Sequence, residues 1–184
     1  MLVEIEAYDL GIQLEIAYAT ANNFLKKPVY KHPFCFLHKS AAEKILYIAK
    51  RAQNLGIHLK IFDAFRPTEA QLKLWEICPD PTFVADPKKG SAHSRGIAVD
   101  LTLVDSHTNQ PLNMGTPFDD FTEDSFHNST NISAEAQKNR FLLLGLMTEG
   151  GFDFYKNEWW HYQLFDAPSY PLLSDKNAPR SMMT

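Results

Sequence analysis

Residues 91–103 read SAHSRGIAVDLTL and combine the clearest strand pattern of the chain with polar side chains beside it. Four apolar residues recur at every second position, which is the period of a β-strand: Ile97, Val99, Leu101 and Leu103. Asp100 falls on the opposite face of this strand, and a carboxylate buried there needs a partner because an unpaired charge in a core is costly. His93 lies in the loop that leads into the strand, so a metal ion bound by His93 would supply that partner.

Further strands and helices flank this segment. Period-two alternation predicts strands at 12–16, 57–61 and 158–164, and helical spacing predicts helices at 40–56, 68–78 and 133–150. The first of these helices begins with Ser40-Ala-Ala-Glu43, which has the form of a capping box. The elements mix without a regular βαβ rhythm, so we predict an α+β fold.

Two polar segments, 79–90 and 105–133, predict loops. The first is broken by prolines and the second is rich in Asn, Asp, Ser and Thr. Irregular stretches as long as the second are usually functional inside a compact domain.

Length and composition bound the class of protein. With 184 residues, 45% apolar and 22% charged, the chain suits one packed domain spanning 1–184 and not a disordered or fibrous protein. A net charge of -4 argues against a nucleic-acid-binding surface. No apolar run approaches the roughly 20 residues that span a bilayer, and the acidic start does not resemble a secretory signal. Two cysteines, Cys35 and Cys78, cannot form a disulfide framework. We therefore expect a soluble, cytoplasmic protein without nucleic-acid or membrane partners.

Two other short segments carry candidate chemistry: Asp63-Ala-Phe-Arg66 and Glu158-Trp-Trp-His161. Two histidines and one carboxylate are a ligand set of catalytic zinc sites, which leave a fourth position open for water. The chain has no HExxH motif, and its cysteines lie near neither histidine. The residues themselves thus favour a hydrolytic zinc site built from His93, Asp100 and His161.

Each of these residues also has a purely structural interpretation. His93 could cap a turn, and Asp100 could form an ion pair with Arg95 or Arg66. Trp159 and Trp160 could be ordinary residues of the hydrophobic core. His107 and His127, in the long polar segment, are alternative ligands or solvated loop residues. Glu158 and His161 are three apart and would point to opposite faces of a regular strand, so both can serve one site only if Glu158 precedes the strand or lies on a bend.

Five motifs together resemble a known family. SAHSRGIAVDLTL matches the SxHxxGxAxD signature of the zinc D,D-peptidases, and the order of the other four narrows the match: YATANNF (18–24), FDAFRP (62–67), MGTPFD (114–119) and NEWWHYQL (157–164). The combination resembles the VanX-type D-alanyl-D-alanine dipeptidases of peptidase family M15, from about Glu15 to Tyr170. The resemblance implies a compact α+β domain with a central, largely antiparallel sheet, flanking helices and the metal on the sheet, as in the fold shared with the Hedgehog signalling domain.

The resemblance also implies roles for individual residues. It implies one Zn²⁺ per chain held by His93, Asp100 and His161, with hydrolysis of D-alanyl-D-alanine to two D-alanines. Glu158 matches the general base on the zinc-bound water, and Arg66 matches the arginine that stabilises the tetrahedral intermediate. Three residues match the family's substrate-binding positions: Tyr18, Ser91 and Asp119. Of these, Asp119 is suited to bind the free ammonium group of the dipeptide.

Two other functions remain open at this point. One is a D,D-carboxypeptidase or endopeptidase that acts on peptidoglycan stem peptides, and it would need an open groove. The other is a zinc-binding module without activity, for which neither Glu158 nor Arg66 would be needed. The oligomeric state is also open, with a homo-oligomer as one alternative.

Overall fold

The strands of the computed structural model form a five-stranded sheet and a separate two-stranded sheet within residues 1–6 and 10–184, the part of the chain that the structure describes. The members of the five-stranded sheet are β2 (Ile12–Leu14), β4 (Ile57–Asp63), β5 (Ala98–Asp105), β6 (Asp153–Phe154) and β7 (His161–Gln163). These strands lie in the order β2-β4-β5-β7-β6. The small sheet pairs β1 (Leu2–Glu4) with β3 (Phe36–His38).

The five-stranded sheet is largely antiparallel. Its β2–β4 pair is parallel, and β5 pairs antiparallel with β4 on one side and with β7 on the other. Because β5 lies in the centre, the side chains on both of its faces are buried up to Val104. The alternation read from the sequence therefore separates two buried faces here, one of which carries Asp100.

The ladder also aligns three polar residues. Asp100 lies opposite His161 on β7 and opposite Asp63 on β4, next to a register shift between Ile61 and Asp63. Cross-strand neighbours have Cβ atoms about 4.5–5.5 Å apart. The hydrogen bonds of the sheet thus bring together residues that are 61 and 37 positions apart in the chain.

In the part of the chain that the structure describes, three α-helices flank the sheets: α1 (Lys39–Gln53), α2 (Thr68–Ile77) and α3 (Ala134–Glu149). All three were predicted, but the predicted cap of α1 is wrong, because the Nδ1 atom of His38 accepts from the backbone N–H of Ser40. Helix α3 begins as predicted, with Ser133 Oγ accepting from the N–H of Ala136 at 3.1 Å. Helix α1 packs against β3 and β4, and the buried residues of this helix include Ile45 and Ile48.

The α+β class and the largely antiparallel sheet are confirmed, while several element boundaries differ from the prediction. The last strand begins at His161 and not at Glu158. Strands β1, β3 and β6 have only two or three residues each, too few for a periodic signal. Segment 79–90 has neither helix nor strand. The predicted loop 105–133 begins with Asp105, the last residue of β5, and contains one short 3₁₀ turn, Glu123–Ser125.

Within residues 1–6 and 10–184, no helix has the length and apolar character that crossing a bilayer requires.

Candidate active site

Two of the three predicted metal ligands come from the sheet and the third from the turn beside it. Asp100 lies on β5 and His161 opens β7, while His93 begins the 3₁₀ turn His93–Arg95 that precedes β5. This turn ends at Gly96, whose φ of +69° and close contact with Leu2 leave no room for a side chain. Two of the ligand candidates, His93 and Asp100, are buried and each 3% exposed, while His161 is half-buried.

Three acceptor atoms face one another at the centre of this cluster. His93 Nε2 lies 3.1 Å from His161 Nδ1 and 3.3 Å from Asp100 Oδ1, and His161 Nδ1 lies 3.1 Å from Asp100 Oδ1. The outer nitrogen of each imidazole has its own acceptor: His93 Nδ1 donates to the Ala64 carbonyl at 2.7 Å, and His161 Nε2 donates to Gln163 Oε1 at 3.1 Å. These outer bonds set the tautomers and turn both inner lone pairs toward the carboxylate.

The charges in the cluster favour an added cation. Burial by itself raises the pKa of Asp100, but the neighbouring imidazoles His93 and His161 reverse this and hold that pKa well below its ordinary value. Burial lowers the pKa of His161, and the hydrogen bond and charge of Asp100 more than offset it, so that this pKa is raised. The carboxylate thus remains ionised and attracts positive charge to the space between the rings.

Glu158 shares the site because it lies outside the strand. It precedes β7 in a turn in which its N–H donates to the Tyr155 carbonyl, and its Oε2 is 4.0 Å from His161 Nδ1. The sequence required Glu158 to precede the strand or lie on a bend if it was to share a site with His161, and in the structure Glu158 does precede the strand. Burial raises the pKa of Glu158 to about 8. A carboxylate in this state is suited to exchange a proton near neutral pH.

Arg66 is held rigidly beside the cluster. Its Nε and Nη2 contact Asp63 Oδ2 at 2.9 and 2.8 Å, its Nη1 donates to Gln71 Oε1 at 3.1 Å, and its guanidinium lies 4.9 Å from the centre of the Tyr18 ring. Burial lowers the pKa of Arg66, and the charge of Asp63 with its neighbours more than reverses this, so that the pKa lies well above its ordinary value. Arg66 is therefore a fixed positive charge, 3.8 Å from Asp100 Oδ2.

The three predicted substrate-binding residues line the same cavity, which has a volume of about 330 Å³. Asp119 comes from the long irregular segment with a φ of +60°, and its carboxylate accepts from the Tyr18 hydroxyl and the Phe24 N–H, both at 3.2 Å. Burial, followed by the charge of Asp100, raises the pKa of Asp119 to about 7. Ser91 Oγ accepts from the N–H of His93 at 3.2 Å, which ties it to the turn that carries the ligand.

The structure decides among most of the alternative interpretations. Within the described part of the chain, Asp100 comes near Arg66 but not within 4.0 Å of Arg95, whose guanidinium donates to the Tyr170 carbonyl. Trp159 and Trp160 are both buried, and Trp160 also lines the cavity. His107 and His127 lie outside the metal-binding group, and His127 packs against Phe154 and Tyr162.

Sequence reasoning missed three residues that support the site: Asp63, Gln71 and Gln163. Asp63 was quoted as the first residue of the segment Asp63-Ala-Phe-Arg66 but was given no role, although its spacing of three from Arg66 is a usable signal for an ion pair. Gln163 lies two residues after His161 and so on the same face of β7, which is a signal for a partner of that histidine. Gln71 could not be assigned, because its contact with Arg66 depends on where α2 docks.

Comparison with known proteins gives matches over nearly the whole chain. The sequence profile described as "D-ala-D-ala dipeptidase", of the peptidase M15 group, matches residues 2–179. The D-alanyl-D-alanine dipeptidase of Escherichia coli K12 is 44% identical over 175 residues, which cover 95% of this chain and 90% of that protein. The protein of the same name from Enterococcus faecium is 34% identical, with 88% and 89% covered. Among solved structures, VanYB in complex with D-alanine-D-alanine superposes with a TM-score of 0.47 at 16% identity, covering 73% of this chain and 75% of that one.

Proposed function

This chain belongs to the D-ala-D-ala dipeptidase family of M15 peptidases, and on that premise we propose that it hydrolyses D-alanyl-D-alanine to two D-alanines with a zinc ion held by His93, Asp100 and His161. The observation that carries the proposal is the position of Glu158 and Arg66 beside the three-acceptor cluster in one cavity. A metal-binding module would need neither of these two side chains.

The three acceptors fit a zinc ion. Zinc ligands lie about 2.0–2.1 Å from the metal in a tetrahedral site, so their donor atoms are separated by about 3.3 Å. The separations here are 3.1, 3.1 and 3.3 Å. Both imidazoles also present lone pairs, since their outer nitrogens donate to Ala64 and Gln163. Three inward acceptors without a donor are a costly arrangement unless a cation lies between them.

A zinc ion in this site would lower the pKa of a bound water to about 7 and polarise the scissile carbonyl. Glu158 would take a proton from the attacking water and later return a proton to the leaving amine. Its pKa of about 8 without a metal would fall beside a divalent cation, which brings the carboxylate into its proton-accepting form near neutral pH.

Arg66 would stabilise the negative charge that develops on the carbonyl oxygen during attack. Its charge is always present, and its contacts with Asp63 and Gln71 hold the guanidinium in place before substrate binds. Preorganised donors of this kind are effective because little reorganisation is needed during the reaction.

Asp119 would bind the free ammonium group of the dipeptide, supported by the Tyr18 hydroxyl, while Ser91 would contact the substrate from the turn that carries His93. A carboxylate placed for a free amino terminus disfavours blocked or longer peptides. This favours a dipeptidase over the carboxypeptidase or endopeptidase alternative. A single functional domain over 1–184, a cytoplasmic location and a homo-oligomer stay predictions.

The experiment that tests this function compares three substrates on zinc-loaded protein: D-Ala-D-Ala, N-acetyl-D-Ala-D-Ala and a pentapeptide ending in D-Ala-D-Ala. We expect D-alanine release from the free dipeptide alone. Cleavage of the blocked or longer substrates would indicate a wall peptidase and contradict the role of Asp119. No release from any of the three would favour the binding module.

A further inference from the structure

Two cationic side chains in the cavity wall, Lys89 and Arg95, have no part in the hydrolysis described above. Throughout residues 1–6 and 10–184, no carboxylate oxygen lies within 4.0 Å of either charge. Arg66, the third cation of the wall, differs because it is ion-paired with Asp63 at 2.8 Å and is assigned to the carbonyl oxygen of the scissile bond. The cavity therefore offers positive charge that the protein itself does not compensate.

Of these two cations, Arg95 is the one held in place. It is half-buried, and its Nη1 donates to the Tyr170 carbonyl. Its Nη2 lies next to Gly90, where an added Cβ would come within 3.1 Å of that nitrogen and 2.6 Å of Leu172. Lys89 is exposed, so water and salt screen its charge. A fixed guanidinium is the better anchor for an anion, since less side-chain freedom is lost when the anion binds.

Arg95 and Asp119 occupy different parts of the wall. Asp119 contacts Tyr18 and Phe24, whereas Arg95 lies beside Gly90 and Tyr170. A free dipeptide carries a positive amino end and a negative carboxyl end, so it needs one site of each sign in a single small cavity. Since Arg66 is paired with Asp63 and assigned to the carbonyl oxygen, Arg95 is the remaining fixed charge of the required sign.

We infer that Arg95 binds the terminal carboxylate of the dipeptide and so makes a free carboxyl end a requirement of the enzyme. This inference rests on the proposed function. A guanidinium matches a carboxylate through two parallel N–H donors, and while Nη1 donates to the Tyr170 carbonyl, Nη2 and Nε remain as a donor pair for the ligand. Charges of both signs in the cavity wall would then select free dipeptides by their carboxyl end as well as by their amino end.

The test measures D-alanine release from two substrates that differ only in this charge, D-alanyl-D-alanine and D-alanyl-D-alaninamide. We expect the parent enzyme to prefer the acid. In Arg95→Gln, which keeps a donor but loses the charge, we expect kcat/KM for the acid to fall about 10- to 100-fold, the value of a charge-assisted hydrogen bond, with the amide changed less than about 3-fold. Arg95→Lys should retain part of the preference for the acid.

Lys88→Gln is the matched control. Lys88 is exposed on the adjoining loop, so its substitution removes the same charge from a position outside the cavity wall. A purely structural role for Arg95, such as holding the Tyr170 segment, would lower kcat/KM equally for both substrates. An unchanged acid-to-amide ratio of kcat/KM in Arg95→Gln would therefore overturn the inference while the proposed function stands. If the parent enzyme releases D-alanine from neither substrate, the proposed function falls and this inference falls with it.

Discussion

The metal-binding cluster and the substrate-binding wall are built on different kinds of backbone. Asp100 and His161 face each other across a strand ladder, so backbone hydrogen bonds determine their separation. Asp119 instead comes from a long irregular segment and is held by side-chain contacts with Tyr18 and Phe24. The comparison indicates that the reaction centre is the rigid part of the molecule and that substrate selection is the part that loops can adjust.

The substitution with the largest expected effect tests whether metal binding and proton transfer depend on different residues of the reaction centre. In Glu158→Gln, kcat should fall about 10³- to 10⁴-fold because the general base is lost. Metal content should stay at one ion per chain, since Glu158 lies outside the three-acceptor cluster. Steady-state kinetics and elemental analysis of the same preparation provide the measurement, with the exposed Glu135→Gln as control. Parallel loss of metal and activity would contradict the role of Glu158 as base.

The second prediction concerns Arg66, which the rigid part also positions. Arg66→Lys keeps a charge but loses the contacts that its planar group makes with Asp63 and Gln71. We expect kcat to fall about 10²- to 10³-fold with KM changed only slightly, because the interaction develops in the transition state. A change in KM alone would make Arg66 a substrate-binding residue, which belongs functionally with Asp119 and not with the metal-binding cluster.

The third prediction concerns Asp119 and the pH dependence of substrate binding. The pKa of Asp119 is about 7, raised by burial, so the carboxylate loses its charge as the pH falls through 7. We expect KM for D-Ala-D-Ala to rise below pH 7 in the parent enzyme. In Asp119→Asn we expect a KM about 10²-fold higher that no longer changes over this range. Initial rates from pH 5.5 to 8.5 measure both, and a pH dependence that persists in the variant would contradict the assignment.

The same substitution has an expected sign for stability. A carboxyl group whose pKa is raised on folding favours the folded state at low pH, and this contribution is lost as the pH rises through the folded-state value of about 7. At pH 8, Asp119→Asn should therefore raise the free energy of unfolding by about 2 kcal/mol, less than a fully buried group of this pKa would give. Denaturant unfolding at pH 5 and pH 8 provides the measurement, and a loss of stability at pH 8 would contradict it.

The smallest expected effect concerns the outer partner of a metal ligand. Gln163→Ala removes the acceptor of His161 Nε2, so the ring loses the bond that sets its tautomer. We expect zinc affinity to fall about 10-fold, with kcat at saturating zinc nearly unchanged. Competition with a chromophoric chelator measures the affinity, and the exposed Gln110→Ala is the control. An unchanged affinity would show that the ladder alone orients His161.

Site residues on or beside strands were easier to predict from the sequence than site residues in loops. Asp100 and His93 were found from one thirteen-residue segment, because strand alternation is a local signal and a buried carboxylate demands a partner. The extent of β7 was predicted wrongly, since the turn at Glu158 depends on the contacts of Trp159 with Ser125 and Thr116. Asp119 was found only through the family resemblance. Its position in the long irregular segment has no periodic signal, and that segment packs by tertiary contacts.

The amino-acid sequence by itself determined the α+β class, the helices, the central strand and the residue types that metal binding and hydrolysis require. These properties depend on local periodicity and on the chemistry of single side chains. The tertiary structure alone decided the strand order that places Asp63, Asp100 and His161 side by side, the pairing of Arg66, and the exposure of Arg95 to the cavity without a carboxylate partner. The physical reason is that distances between residues far apart in the chain arise from sheet pairing and side-chain packing, which no local pattern encodes.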